Sequence, residues 1–297
     1  MSSTETVLLG AVAYDPKVVT IWHGFRRWFA GHDLDFDYVL YSNYERQVED
    51  LVAGRIHAAW NSPLAWVRAR RLAEAQGIGL KALTMRDTDC DLTTVVVVRA
   101  ESGITEPEHL RGRLVATGAI DSPQATLLAL HHLQRLGLTP GRDFEVRRFD
   151  IGVGLHGDHI GGERDAAAAL AAGNVDAACM IDGNHLLFTR EGTLPSGATR
   201  ILTQTGPYDH CNMTVLTGTP RAPGTEPAPE AALARFGELL LAMDYGDAAV
   251  RPLLDLEGLK QWRPGRTDGY AALESAVDEF GFYDAKGAIT AGPDYRP

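Results

Sequence analysis

The 297-residue sequence predicts an α/β protein of two lobes, a hinged clamshell joined by two crossover strands. Three observations carry this reading. Strand and helix patterns alternate from the N-terminus, a short motif recurs once in each half of the chain, and two β-branched runs lie where the chain would pass between lobes. At roughly 150 residues per domain the length also allows two.

VLLGAVAY (7–14) is a short apolar run with the character of a buried strand. Asp15-Pro16 then opens a helix with Val18, Val19, Trp22, Phe25 and Trp28-Phe29 at helical spacing. DFDYVLY (35–41) alternates and gives the next strand, and Ser42-Asn43 supplies an N-cap for the helix that Gly54 stops. The recurring motif L-x-A-G-x-[I/V]-x-A-A stands in LVAGRIHAAWNSPLAWV (51–67) and LAAGNVDAACMIDGNHLLF (170–188). In each copy a helix ends at glycine, a short strand follows, and the strand ends in polar residues. Asn61-Ser62 and Asp182-Gly183-Asn184-His185 therefore occupy comparable strand ends, where ligands gather in open α/β sheets. LTTVVVVRA (92–100) is a buried strand and NMTVLTG (212–218) a second crossing strand. TPRAPGTEPAPE (219–230) reads as a Pro-rich surface loop, and the helical remainder packs back on the first lobe. The lobes expected are 1–92 plus 217–297 and 98–210, with hinge strands near 93–98 and 211–216.

Counting 28 Lys and Arg against 39 Asp and Glu gives a formal charge of −11, the wrong sign for a nucleic-acid partner. No apolar stretch reaches the 18 or so residues of a membrane span. The N-terminus MSSTETVLLGAVAYD lacks a basic n-region, a long apolar h-region and a cleavage site, so a cytoplasmic chain is expected. Three widely spaced cysteines, Cys90, Cys179 and Cys211, are expected as free thiols. No P-loop, dinucleotide fingerprint or G-x-S-x-G elbow occurs, so no nucleotide cofactor is expected.

Five phrases, in order, resemble the phosphate/phosphonate-binding branch of the type 2 periplasmic binding proteins, the substrate-binding components of ABC transporters. They are YERQVEDLVAGRIHAAWNSPLAWVRA (44–69), SGITEPEHLRGRLVATG (102–118), LGLTPGRDF (136–144), LAAGNVDAACM (170–180) and LLDLEGLKQWRPGRTDGYAALESAV (253–277). The resemblance implies a periplasmic-binding-protein-like clamshell that closes over a small anionic ligand. The chain departs from that pattern in three places. It shows no export signal, the turn AIDSPQATLLAL (119–130) offers fewer hydroxyls than the family's phosphonate loop, and GVGLHGDHIGGERDAAAAL (152–170) replaces a brief Ser-His-Asp turn with a longer Gly-rich loop.

Several side chains in these segments can carry chemistry. His156 and His159, with Asp158 between and Glu163 beyond, offer ligands for a divalent transition metal such as Zn, Fe or Mn, although a solvated glycine loop accounts for them equally well. His185 ends the second repeat strand, and His210-Cys211 precedes the second crossover strand, where a histidine can lower a thiol pKa. Cys90, between Asp89 and Asp91, is expected to be a packing residue, and His57 a structural one. Tyr14, Asn61, Ser62, Asp121, Ser122 and Asp182 are candidates to hold the ligand.

These features lean toward a cytoplasmic enzyme on the same fold, a metal-assisted lyase or decarboxylase acting on a small oxyanionic or carboxylated substrate. His185, His210 and Cys211 would carry its catalysis and His156 and His159 its metal. The alternative is the substrate-binding component of a phosphonate or related oxyanion transporter. A homodimer is compatible with either.

Overall fold

The computed structural model describes residues 6–150, 159–217, 229–293 and 295. Contacts divide the chain into two compact units. Met1–Cys90, Asp209–Ala271 and Tyr283–Thr290 form the first, and Asp91–Tyr208, Ala272–Phe282 and Ala291–Pro297 form the second.

The first unit begins β1 (Val7–Val12), α1 (Lys17–Ala30), β2 (Phe36–Tyr41), α2 (Tyr44–Val52), β3 (Ala58–Asn61), α3 (Pro63–Ala75) and β4 (Leu80–Arg86). Helix α1 buries Val18, Ile21, Trp22, Phe25 and Phe29, a stripe at helical spacing, whereas Val19, expected on that stripe, is exposed. Phe29 meets Phe36 at 4.8 Å and Phe236 at 5.2 Å, tying the helix to β2 and to a segment two hundred residues away. Asn43 caps α2 by accepting from the Arg46 amide at 2.8 Å, as the sequence indicates.

The second unit contains β5 (Thr94–Arg99), β6 (Leu114–Thr117), α4 (Ala129–Arg135), β7 (Glu145–Arg148), α5 (His159–Ala171), β8 (Ala177–Ile181), α6 (Asp182–Glu191) and β9 (Thr199–Gln204). A π-helix, Pro123–Leu128, leads into α4. The run of four valines in β5 divides by parity. Val95 and Val97 pack with Leu170 and Phe188 on one face, and Val96 and Val98 with Leu110 and Leu133 on the other. A strand buried on both faces needs apolar residues at every position, which is why this run does not alternate.

The chain then supplies β10 (Asn212–Leu216), α7 (Glu230–Leu241), α8 (Arg251–Glu257) and β11 (Trp262–Pro264) to the first unit, followed by α9 (Ala271–Glu279). The sequence assigns all of 217–297 to the first lobe. Ala272–Phe282 and Ala291–Pro297 instead group with the second unit. Glu279 pairs with His131 at 2.5 Å and Phe280 packs beside Leu130 and Leu133, contacts that no local pattern announces. The Pro-rich loop expected at 219–230 lies outside the described residues up to 228.

The strand orders are β11-β4-β10-β3-β1-β2 and β7-β6-β8-β5-β9. Within them, β2-β1-β3-β10-β4 and β7-β6-β8-β5-β9 have the same plan: parallel strands with one antiparallel strand inserted fourth. The two copies of the repeat fall on equivalent strands, β3 and β8. Gly54 and Gly173 follow the preceding helices with φ of 74° and 75°, the left-handed conformation that favours glycine.

One Gly-rich stretch that reads as loop is helical. Gly161 and Gly162 lie inside α5, and a Cβ on Gly162 would stand 2.6 Å from the Phe149 carbonyl oxygen. Glycine is present there for close backbone approach rather than for a turn. Gly162→Ala should therefore destabilise the protein by about 1–3 kcal/mol in urea unfolding, because the neighbour is backbone and cannot step aside. Gly183→Ala in α6, with nothing nearer than 4.0 Å, should be neutral or stabilising by up to about 1 kcal/mol. Equal effects of the two substitutions would refute the packing explanation.

Candidate functional site

The carboxyl edge of the first sheet gathers charge from four separate segments. Arg86 is the last residue of β4, and Asp89 lies in the 3-10 turn Asp87–Asp89 that follows. Because β10 runs antiparallel to β3 and β4, its start brings His210 and Cys211 to the same edge. Glu257 closes α8. Arg86 donates to both Asp89 oxygens, at 2.5 and 2.9 Å, and to the Glu257 backbone oxygen at 2.8 Å, with the Glu257 carboxylate at 3.4 Å. The guanidinium also lies 5.2 Å from the centre of the Trp60 ring, which in turn meets Trp262 edge-on.

His210 is held at one nitrogen and unengaged at the other. Its Nδ1 lies 3.3 Å from Asp89 Oδ1 and 3.1 Å from Cys211 Sγ, and its backbone N–H donates to the Asp89 carbonyl. Among the described residues, Nε2 is buried and has no hydrogen-bond partner. Burial opposes charge on this ring, but the interaction with Cys211 and the hydrogen bond to Asp89 outweigh it and push the pKa up to about 10. The result is an imidazolium with Nε2–H as a fixed, unspent donor. Asp89 moves the opposite way: burial works to raise its pKa, yet Arg86 and His210 bring it down to about 2.

Tyrosines line the same edge. Tyr14, after β1, is 37% exposed. Burial of the hydroxyl and then the Glu257 carboxylate raise its pKa to about 12. Tyr44, the first residue of α2, is raised well above the ordinary value by burial, then by Cys211 and Tyr14. Both hydroxyls therefore stay protonated and can donate. Tyr270 braces the cluster from behind, accepting from the Asn212 amide and donating to the His210 carbonyl, each at 2.8 Å.

Asn61 and Ser62 belong to the frame here. Asn61 is fully buried, accepts from Gln47 at 2.8 Å and donates to Thr214 Oγ1 at 2.9 Å, so its amide is engaged in a core network. Ser62 caps α3 by accepting from the Ala65 amide. Trp66 is buried against Tyr270. His57 accepts from the Leu8 amide and Cys90 donates to the Arg86 carbonyl, both structural as expected.

The second sheet's carboxyl edge is built differently. Buried Glu163 accepts from Gln124 at 3.1 Å, from the Ile181 amide at 3.0 Å and from Asn184 at 2.7 Å. Glu163 is thereby a residue of α5 that orders the edge. Asp121 is 3% exposed. Ser122 caps the π-helix through the Ala125 amide, and Thr126 donates to the Ala119 carbonyl at 2.7 Å, so both hydroxyl side chains fold back on their own turn. Asp182 accepts from the Gly183 amide.

His185 is directed elsewhere. Its Nε2 faces Thr199 Oγ1 at 3.1 Å, and Thr199 pairs with Arg99, the end of β5 opposite Thr94, the residue beside the carboxyl end of β8. Burial lowers its pKa, so it stays neutral. His156 lies outside the described residues. His159 begins α5, and its side chain is likewise outside them.

Burial and Asp89 together set a pH signature at Glu257. Burial is the larger cause raising this carboxyl from the ordinary 4.5 to about 7, although Arg86 opposes it. A carboxyl with a raised folded pKa favours folding when protonated, so its contribution is complete below the unfolded pKa and is lost as pH rises toward and through about 7. Between about pH 5 and 8 the melting temperature of Glu257→Gln should fall less than that of the native sequence. Parallel curves would show that Glu257 does not titrate in this window.

Residues 13–270 match the family model described as ABC transporter, phosphonate, periplasmic substrate-binding protein. Among solved structures, PhnD1 from Prochlorococcus marinus in complex with methylphosphonate is similar with a TM-score of 0.64 at 15% identity, covering 94% of this chain and 99% of that one. A Xanthomonas citri protein bound to chloride ion gives 0.67 at 18%, covering 92% and 98%. The periplasmic aliphatic sulphonate binding protein SsuA from Escherichia coli gives 0.55 at 19%, covering 94% and 92%. At these identities the structural likenesses bear on the two-lobe α/β fold, which is the periplasmic-binding-protein-like class expected. The expectation of a cytoplasmic lyase is overturned by the family match, and with it the catalytic roles given to His185, His210 and Cys211. The inference from the N-terminus to the cytoplasm is corrected by the same match, because the family is periplasmic. No helix among the described residues is long and apolar enough to cross a membrane. With the match running over most of its length, the chain belongs to the phosphonate-binding family of periplasmic ABC-transporter substrate-binding proteins.

Proposed function

We propose that the chain is the substrate-binding component of an ABC transporter for a phosphonate or closely related small oxyanion. The observation that carries this reading is the family match over residues 13–270. The methylphosphonate and sulphonate ligands named for similar structures support the same ligand class.

The geometry of the first sheet's carboxyl edge suits such a ligand. An oxyanion needs several donors fixed before it arrives, since ordering them afterwards costs affinity. His210 Nε2–H is one, held by the contacts of Nδ1. The protonated hydroxyls of Tyr14 and Tyr44 are two more, and Arg86 adds positive potential while its own hydrogen bonds remain with Asp89 and Glu257. Anion recognition in a chain of formal charge −11 must rest on such local donors, because the field of the whole molecule repels the ligand.

Titration calorimetry with methylphosphonate, phosphate and an alkanesulphonate, combined with mass analysis of the recovered ligand, tests the reading. At least one of the three should bind and return with unchanged mass. Tyr44→Phe should weaken that binding roughly five- to tenfold, the loss of one hydrogen bond to an anion. His185→Gln should leave it within about twofold, because that ring points to Thr199. Chemical conversion of the ligand, or no binding of any oxyanion by well-folded protein, would overturn the proposal.

A further inference from the structure

Cys211, His210 and Asp89 present one sulfur, one nitrogen and one oxygen that all lie within 4.8 Å of one another at the first sheet's carboxyl edge. We propose that these three side chains form a binding site for a borderline-soft divalent cation, Zn2+ in the first instance, ligated by Cys211 Sγ, His210 Nδ1 and Asp89 Oδ1.

Spacing supports this. Donors on a tetrahedral zinc ion, with bonds of ~2.3 Å to sulfur and ~2.0–2.2 Å to nitrogen and oxygen, lie about 3.4–3.6 Å apart. Nδ1 stands 3.1 Å from the sulfur and 3.3 Å from the carboxylate oxygen, so small side-chain adjustments open the triangle around an ion. The single hydrogen that Nδ1 can carry cannot serve both neighbours fully, whereas an ion engages all three at once.

The surroundings match what metal ligands require. Asp89 is held by Arg86 through both oxygens, and Oδ1 keeps a second lone pair toward His210. A carboxylate pre-oriented in this way resembles the outer-shell support that ligands at metal centres receive. Cys211 follows His210 directly, and the chain at that point is pinned by the His210 amide to the Asp89 carbonyl and by the His210 carbonyl to Tyr270. Both donor-bearing segments are thus tied to each other through backbone. Asp89 and Cys211, the latter as the thiolate it becomes on binding, bring two negative charges to a divalent ion.

This site differs from the one expected on His156 and His159 and uses none of its residues. Three protein donors leave a fourth tetrahedral position open, and a metal on Nδ1 keeps the proton on Nε2, so metal and oxyanion binding do not exclude each other.

The test uses the full chain, stripped of metal and titrated with Co2+ alone as a spectroscopic probe. A near-ultraviolet thiolate-to-cobalt charge-transfer band should grow to one equivalent and be displaced by Zn2+. Cys211→Ser should abolish the band and weaken Zn2+ binding about 100-fold or more, since too few ligands then remain to offset dehydration. Cys90→Ser, and His156→Ala combined with His159→Ala, should retain it. In case Cys211→Ser does not fold, X-ray absorption of the Zn2+-loaded native chain should show one sulfur at ~2.3 Å among nitrogen and oxygen neighbours. Absence of metal uptake, a sulfur-free first shell, or a band that persists in folded Cys211→Ser or vanishes in Cys90→Ser would overturn the assignment.

Discussion

Arg86 and Asp89 make the ion pair on which the first sheet's carboxyl edge depends. Asp89 is 2% exposed, and a lone carboxylate in that position would be forced to protonate. The two-pronged guanidinium removes that pressure, and only then can Asp89 remain an anion facing His210. Breaking such a pair leaves an uncompensated buried charge, at a cost of about 3–5 kcal/mol. Its two charges reach the neighbouring groups: Arg86 acts on Tyr14 and Tyr44, Asp89 on His210, and both on Glu257.

The two sheets share a plan yet use it for different chemistry. At the first edge, polar groups from several segments meet as charges. At the second, Glu163 accepts three hydrogen bonds and the hydroxyls of Ser122 and Thr126 close on their own turn. A turn that satisfies its own hydroxyls is rigid but offers little to a ligand through those side chains. The first edge retains unspent capacity at His210 Nε2. Equivalent strands therefore do not imply equivalent roles.

Sequence patterns captured what is local or periodic. The α1 stripe, the Asn43 cap, the repeat on β3 and β8, and the valine run of β5 follow from spacing that any reader of the chain can see. Pairing of distant segments was hidden. Asn61 looked like a ligand contact because it ends a strand, and only the register of β10 shows that Thr214 occupies its amide. Arg86 and Glu257 carry no local signal, since an arginine ending a strand and a glutamate ending a helix are ordinary in isolation. Cys90 stands between two acidic residues in the sequence, yet burial is the larger cause raising its pKa. The adjacency of His210 and Cys211 is visible in the chain, but reactive groups side by side are not by themselves a reaction.

The antiparallel insertion of β10 also bears on the order in which the protein can assemble during synthesis. All five strands of the second sheet lie between Thr94 and Gln204 and can pair once that stretch has emerged. The first sheet begins earlier in the chain but cannot join β3 to β4 until residues 212–216 arrive between them. Its N-terminal strands must wait, incompletely paired, through the translation of more than a hundred residues, the stage at which exposed strand edges invite misassembly. The sheet begun first is thus completed last, and the charged cluster, which needs His210 and Cys211, cannot exist before that closure.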